Sequence, residues 1–107
     1  PDGMTLYVTD HGAGQTFSYT INEDGTLADK TLFAPEGSDG MTIDSQGNIY
    51  LTNNNVVVYN QAGEKIQEIR IPEEPSNVTF GGADRKTLFV TARTSLYSVP
   101  MAVQGAR

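Results

Sequence analysis

The chain has 107 residues, the length of one ordinary domain, and 37% of them are hydrophobic, enough for a core but without a run long enough to span a bilayer. Its net charge is −6 and its seven basic residues are scattered, so a nucleic-acid backbone would be repelled and nucleic-acid binding is set aside. It has no cysteine, which removes disulfides and thiolate chemistry and leaves the redox compartment unmarked.

Pro1-Asp2-Gly3 reads as a turn that delivers the chain into Met4–Thr9, a run of β-branched and aromatic residues that predicts a strand. Neither end has the look of a targeting segment, and the opening at a proline suggests a chain cut from something longer. After the glycine-rich connection Asp10-His11-Gly12-Ala13-Gly14, residues Thr16–Ile21 alternate between polar and apolar, predicting a second strand. Asn22-Glu23-Asp24-Gly25 supplies a hairpin turn in which Gly25 is free to take a positive φ, and Leu27–Phe33 returns as a third strand.

The same grammar then repeats. Gly40–Ile43 predicts a strand, Asp44-Ser45-Gln46-Gly47 a turn and Asn48–Thr52 its return. Beyond the Asn53-Asn54-Asn55 loop, Val56–Tyr59 is apolar throughout, as a strand buried on both faces should be. Lys65–Ile71 follows as a half-exposed outer strand. After Pro72-Glu73-Glu74-Pro75 come Val78–Phe80, a turn at 81–85, Lys86–Thr91 and Ser95–Val99.

Two internal repeats fix the period. Leu6-Tyr7-Val8-Thr9 returns 43 positions later as Ile49-Tyr50-Leu51-Thr52, and again 39 positions after that as Leu88-Phe89-Val90-Thr91. Ser38-Asp39-Gly40-Met41-Thr42-Ile43-Asp44 is echoed by Ser76-Asn77-Val78-Thr79-Phe80-Gly81-Gly82, with an amide in the place of the carboxylate. A period near 40 with four short strands per unit is that of a β-propeller blade. The expected fold is therefore all-β, with four-stranded antiparallel blades at roughly residues 1–35, 36–73 and 74–107. Three, four and three strands amount to about two and a half blades, fewer than a ring needs, so the rest of the ring is expected from further chain.

These phrases, with Gly47-Asn48-Ile49-Tyr50, Val57-Val58-Tyr59, Gly63 and Leu88-Phe89-Val90-Thr91-Ala92, resemble the C-terminal portion of the gluconolactonase, or senescence marker protein-30 (regucalcin), family. The resemblance spans nearly the whole chain. It implies part of a single six-bladed propeller, with residues 1–107 its C-terminal portion. It also implies one divalent metal ion at the mouth of the central channel and hydrolysis of a sugar lactone or related ester. The family's metal ligands are an early glutamate, an asparagine of a Pro-Asn-Gly type motif and the aspartate of Asp-Gly-Met. Only the last has a counterpart here, Asp39, which becomes the expected metal ligand and possible catalytic base. Calcium suits such oxygen donors best, with zinc or magnesium as alternatives.

In a propeller, Asp39 and Asn77 would both stand at the start of an inner strand and face the channel mouth. The loops joining second to third strands would bring His11, Asn53 and Arg93 to the same end. Asn77, Arg93 and His11 are thus expected to touch substrate or support the site. Each has a plainer reading: Asp-Gly is a common turn pair, asparagine often satisfies backbone at a strand entrance, and His11 and Arg93 could be solvated. Asn77-Val78-Thr79 is also a glycosylation sequon, which a channel-facing position would silence. The run 22–25 is no EF-hand loop, because Thr20 and Thr31 would stand where acids are required. The alternative to an enzyme is a non-catalytic propeller that binds or scaffolds a partner.

Overall fold

The computed structural model describes residues 4–10 and 12–106. The expectations for the Pro1-Asp2-Gly3 turn and for His11 lie outside the described residues. Among those described there are ten strands and no helix: β1 (Thr5–Asp10), β2 (Gln15–Ile21), β3 (Leu27–Ala34), β4 (Met41–Ile43), β5 (Ile49–Thr52), β6 (Val56–Tyr59), β7 (Lys65–Ile69), β8 (Pro75–Gly81), β9 (Thr87–Ala92) and β10 (Ser95–Pro100). They form three antiparallel sheets in the orders β1-β2-β3, β4-β5-β6-β7 and β10-β9-β8. This is part of a β-propeller, as the repeat predicts.

The strands form where side-chain alternation allows both faces of the middle sheet to be covered. In β5 and β6 the register pairs Ile49 with Tyr59 and Leu51 with Val57 on one face, and Tyr50 with Val58 on the other. The first face packs against Tyr7, Phe33 and Ala34 of the first sheet. The second packs with Ile71 against Val78, Leu88, Val90 and Ala92 of the third. Both β5 and β6 are buried along their whole length. Each aliphatic side chain so enclosed stabilises by roughly 1.5–3 kcal/mol relative to exposure. Tyr7 meets Phe33 edge-on at 4.9 Å, and Tyr50 meets Phe80 at 5.2 Å, a geometry that sets the positive ring edge on a negative face.

Turns close as the residue types require, with Gly25 at φ 86° in the first hairpin. Two strands differ from the expected extents by more than one residue at an end. β8 begins at Pro75 rather than Val78, which places Asn77 inside the strand, and β7 stops at Ile69. The register shift between Pro75 and Asn77 is what lets the proline enter a paired strand.

One buried group has no apolar explanation. Asp44, expected only to turn the chain, is fully enclosed. Its Oδ1 accepts hydrogen bonds from the amides of Gln46 (2.9 Å) and Asn48 (3.0 Å), while Oδ2 accepts from Asn48 Nδ2 (2.9 Å) and the Tyr50 hydroxyl (2.9 Å). Four donors replace the water this carboxylate has lost. Burial, and then the Asp44 carboxylate, push the Tyr50 phenol above its usual range.

Beyond the two packed faces, the outer sheets carry apolar side chains into solvent. Leu6, Val8 and Leu32 are exposed on the first sheet and Leu96 on the third. Asn77, Thr79, Phe89, Thr91 and Leu96 line a hollow on the third sheet's far face.

Two outcomes follow. In the full-length protein Tyr50→Phe should lower unfolding free energy by about 1.5–3 kcal/mol in denaturant titration, because a buried carboxylate oxygen loses a charge-assisted partner; an unchanged midpoint would contradict this. Residues 1–107 expressed alone should associate or aggregate through the two exposed faces, so a monodisperse, cooperatively melting monomer in sedimentation would overturn the reading of those faces.

Candidate functional site

The site is built at the end of the sheets where β4 and β8 begin, here called the upper end. Ser38 is buried there, and its hydroxyl bonds the Gly40 carbonyl while accepting the Thr52 amide at 2.8 Å. Thr52 returns the tie: its Oγ1 accepts the Gly40 amide at 2.8 Å, and its carbonyl accepts the Asp39 amide at 3.2 Å. Residues 38–40 are thereby clamped to the end of β5, and Asp39, between two anchored neighbours, is exposed at the upper end. The third sheet repeats the device, with the Ser76 hydroxyl 3.2 Å from the Thr91 carbonyl and 3.1 Å from Thr91 Oγ1.

The same threonines reach between sheets. Thr9 Oγ1 donates to the Ser38 carbonyl (3.2 Å), and Thr52 Oγ1 stands in the equivalent relation to the Ser76 carbonyl (3.3 Å). Thr9, Thr52 and Thr91 are the last residues of the repeated Leu-Tyr-Val-Thr phrase and its two variants. The first two copies of the repeat therefore each encode a latch to the opening of the next sheet.

Asp39 and Asn77 are brought into one neighbourhood through Gly40. A β-carbon on Gly40 would lie 2.1 Å from Asn77 Oδ1 and 2.8 Å from Asn77 Cα. Gly40 is not among the glycines with positive φ. Its lack of a side chain serves close approach to Asn77, while Asp39 stands at a bend just before it. Asn77 is itself exposed, and its Oδ1 accepts the Val78 amide at 2.8 Å.

Arg93 and Asn53 stand at the same end, in the β9–β10 and β5–β6 connections. Arg93 lies at the rim, 72% exposed and 3.3 Å from Glu74, an ion pair of little energetic weight. Asn53 Nδ2 donates to Glu36 Oε2 at 3.5 Å. His11 lies outside the described residues.

Two carboxylates near this end carried no sequence signal. Glu36, in the Pro35-Glu36-Gly37 connection, lies beside Tyr59, whose phenol is pushed up to about 12 by burial first and then by hydrogen bonding to and the charge of Glu36. Glu73 accepts the Thr94 hydroxyl on Oε1 (3.2 Å), while its Oε2 is buried with no hydrogen-bond partner. Prolines flank both connections, so each reads in the sequence as a linker.

Among the described residues no three His, Cys, Asp or Glu side chains converge to hold a metal ion. The carboxylate of Asp39 and the amide of Asn77 are hard oxygen donors of the kind that calcium and magnesium take. Their chemistry fits such a cation, and their number leaves most of its ligand positions to other groups.

Comparison with known proteins gives the family. Residues 1–94 match the family model described as the SMP-30/Gluconolactonase/LRE-like region. The pentonolactonase XacC of Haloferax volcanii is 31% identical over 100 residues, which cover 84% of this chain and 34% of that protein. A solved structure described as a gluconolactonase superposes with a TM-score of 0.91 at 27% identity, covering 99% of this chain and 38% of its own. The calcium-binding protein regucalcin from Agrobacterium tumefaciens shares the fold, with a TM-score of 0.83 at 20% identity over 99% of this chain and 45% of its own. The chain thus spans about a third of the length of the curated relative it matches. With the matched region covering most of its residues, the chain belongs to the SMP-30/gluconolactonase/LRE-like family.

Proposed function

We propose that this chain contributes part of the active face of a metal-dependent lactonase, with Asp39 as one ligand of a divalent cation and a sugar lactone or related ester as substrate. What supports the reading most is the clamp of Ser38 and Thr52, which fixes the backbone on both sides of an exposed carboxylate at the mouth end. The lactonase names of relatives support the substrate class. Residues 1–107 would form about two and a half blades of one propeller domain, the remaining ligands and blades coming from further chain.

When bound, a hard divalent cation, calcium by donor chemistry with magnesium or zinc as alternatives, would polarise the lactone carbonyl and lower the pKa of water. One Asp39 oxygen would hold it, and the other could accept a proton from attacking water. Asn77, packed on Gly40, would orient a substrate hydroxyl or an Asp39 oxygen through its amide nitrogen. Arg93 would meet substrate oxygens at the rim, and His11 is assigned the same role from the sequence alone. Exclusion of solvent would fall to the loops of the upper end.

In the full-length protein Asp39→Asn should reduce lactone hydrolysis by at least 100-fold with the fold intact by circular dichroism, since the amide keeps the size but loses the charge. Asn77→Ala should be milder, with a loss of roughly 10- to 100-fold, as for groups that orient a ligand. A parent-like Asp39→Asn, in both calcium titration and hydrolysis, would show that the assignment of the site to Asp39 is wrong, whereas a full-length parent that hydrolyses no lactone would leave the non-catalytic binding module as the better account. Gly40→Ala should also impair hydrolysis while both polar side chains remain, because its methyl group displaces Asn77; parent-like activity would show that their contact is incidental.

A further inference from the structure

We propose that residues 101–106 form a strap that sets the position of the inner strand β4 and so positions Asp39 from the opposite end of that strand. The inference rests on the reading of Asp39 as a cation ligand.

Strand β4 has only three residues and pairs along one edge, with β5. At its lower end the Asp44 amide bonds the Asn48 carbonyl within the sheet, which turns the Ile43 carbonyl and the Ser45 amide toward the other edge. Both are taken by the strap. Ser45 donates to the Gln104 carbonyl at 2.7 Å, Ala106 donates to the Ile43 carbonyl at 3.0 Å, and Asp44 and Gly105 form an antiparallel bridge.

The strap is itself fixed to the third sheet. Met101 donates to the Lys86 carbonyl (2.7 Å), Gly105 to the Arg85 carbonyl (2.9 Å) and Gln104 Nε2 to the Asp84 carbonyl (3.1 Å). Packing completes the link: a β-carbon on Gly105 would lie 2.4 Å from that of Phe80, Phe80 sits edge-on to Tyr50, and Tyr50 bonds Asp44. Backbone bonds and a line of packed rings therefore tie the lower end of β4 to a neighbouring sheet.

Ile43 is four residues from Asp39, through β4 and the bend that precedes it, so axial slip of the strand is passed to Asp39. Three residues paired along one edge resist such slip weakly, and a displacement near 1 Å is enough to cost about 100-fold in a catalytic geometry. The Ser38–Thr52 clamp holds the upper end, and the strap opposes slip from the lower end, besides covering an otherwise open strand edge.

The test uses the full-length protein with Gly105→Ala, probed with calcium alone and then with a lactone. Amide exchange at Ser45 and Ala106 should quicken at least tenfold while Leu88 and Val90 keep their protection. Calcium affinity by calorimetry should fall roughly 10- to 100-fold, the range for groups that orient a ligand, and hydrolysis should recover at saturating calcium. Gln104→Ala, which removes only the anchor on Asp84, should move both readouts the same way by a few fold and decides the matter should Gly105→Ala fail to fold. Freed amides with parent-like calcium affinity, or Gln104→Ala with neither readout moved, would overturn the proposal. A parent-like Asp39→Asn would instead locate the failure in the ligand reading.

Discussion

The middle sheet must be covered on both faces, and the other features described depend on that constraint. With Ile49, Leu51, Val57 and Tyr59 on one side and Tyr50, Val56 and Val58 on the other, neither face can meet water without exposing most of the core. Sheets on both sides are the solution, and the period of the sequence places them. Burying both faces also explains why β6 is continuously apolar where a one-sided sheet would alternate. Packing alone, however, leaves such sheets free to slide, since hydrophobic contact has little direction.

Direction comes from hydroxyl groups at the upper end. Thr9 and Thr52 each stand at the end of a second strand, or its equivalent, and each is bonded to the serine carbonyl that opens the next sheet. The latch bonds run from a threonine hydroxyl to a serine carbonyl, so the identity of the residue after the serine is not fixed by them. That position is free to be Asp39 in one sheet and Asn77 in the next. A repeated scaffold with a variable residue at a fixed place is how a propeller face acquires chemistry without altering its fold.

Much of this was legible in the sequence, and the reasons differ from element to element. Val56–Tyr59 was readable to the residue because total burial leaves an uninterrupted apolar run. That Asp39 and Asn77 lie near the starts of β4 and β8 followed from the two serine phrases, but their closeness through Gly40 did not, since a turn glycine and a close-approach glycine look alike until the neighbour is seen. Asp44 read as a turn former because its four donors include two backbone amides and a tyrosine six residues away, none of which marks it as buried. Residues 101–106 gave no strand signal at all. Their bonds are backbone to backbone across long separations, and such pairing leaves no trace in side-chain pattern. Glu36 and Glu73 were hidden in connections, each directly after a proline, because their partners Asn53 and Thr94 lie far along the chain in other connections.

The central claim is that the clamped carboxylate at the upper end holds a hard cation. The most direct measurement is anomalous diffraction from crystals of the full-length protein soaked with a lanthanide, which takes the oxygen ligands of calcium. The account predicts a peak at bonding distance from an Asp39 carboxylate oxygen, about 2.3–2.6 Å as for calcium itself. Lanthanide density elsewhere on the propeller, with Asp39 unengaged, would contradict it.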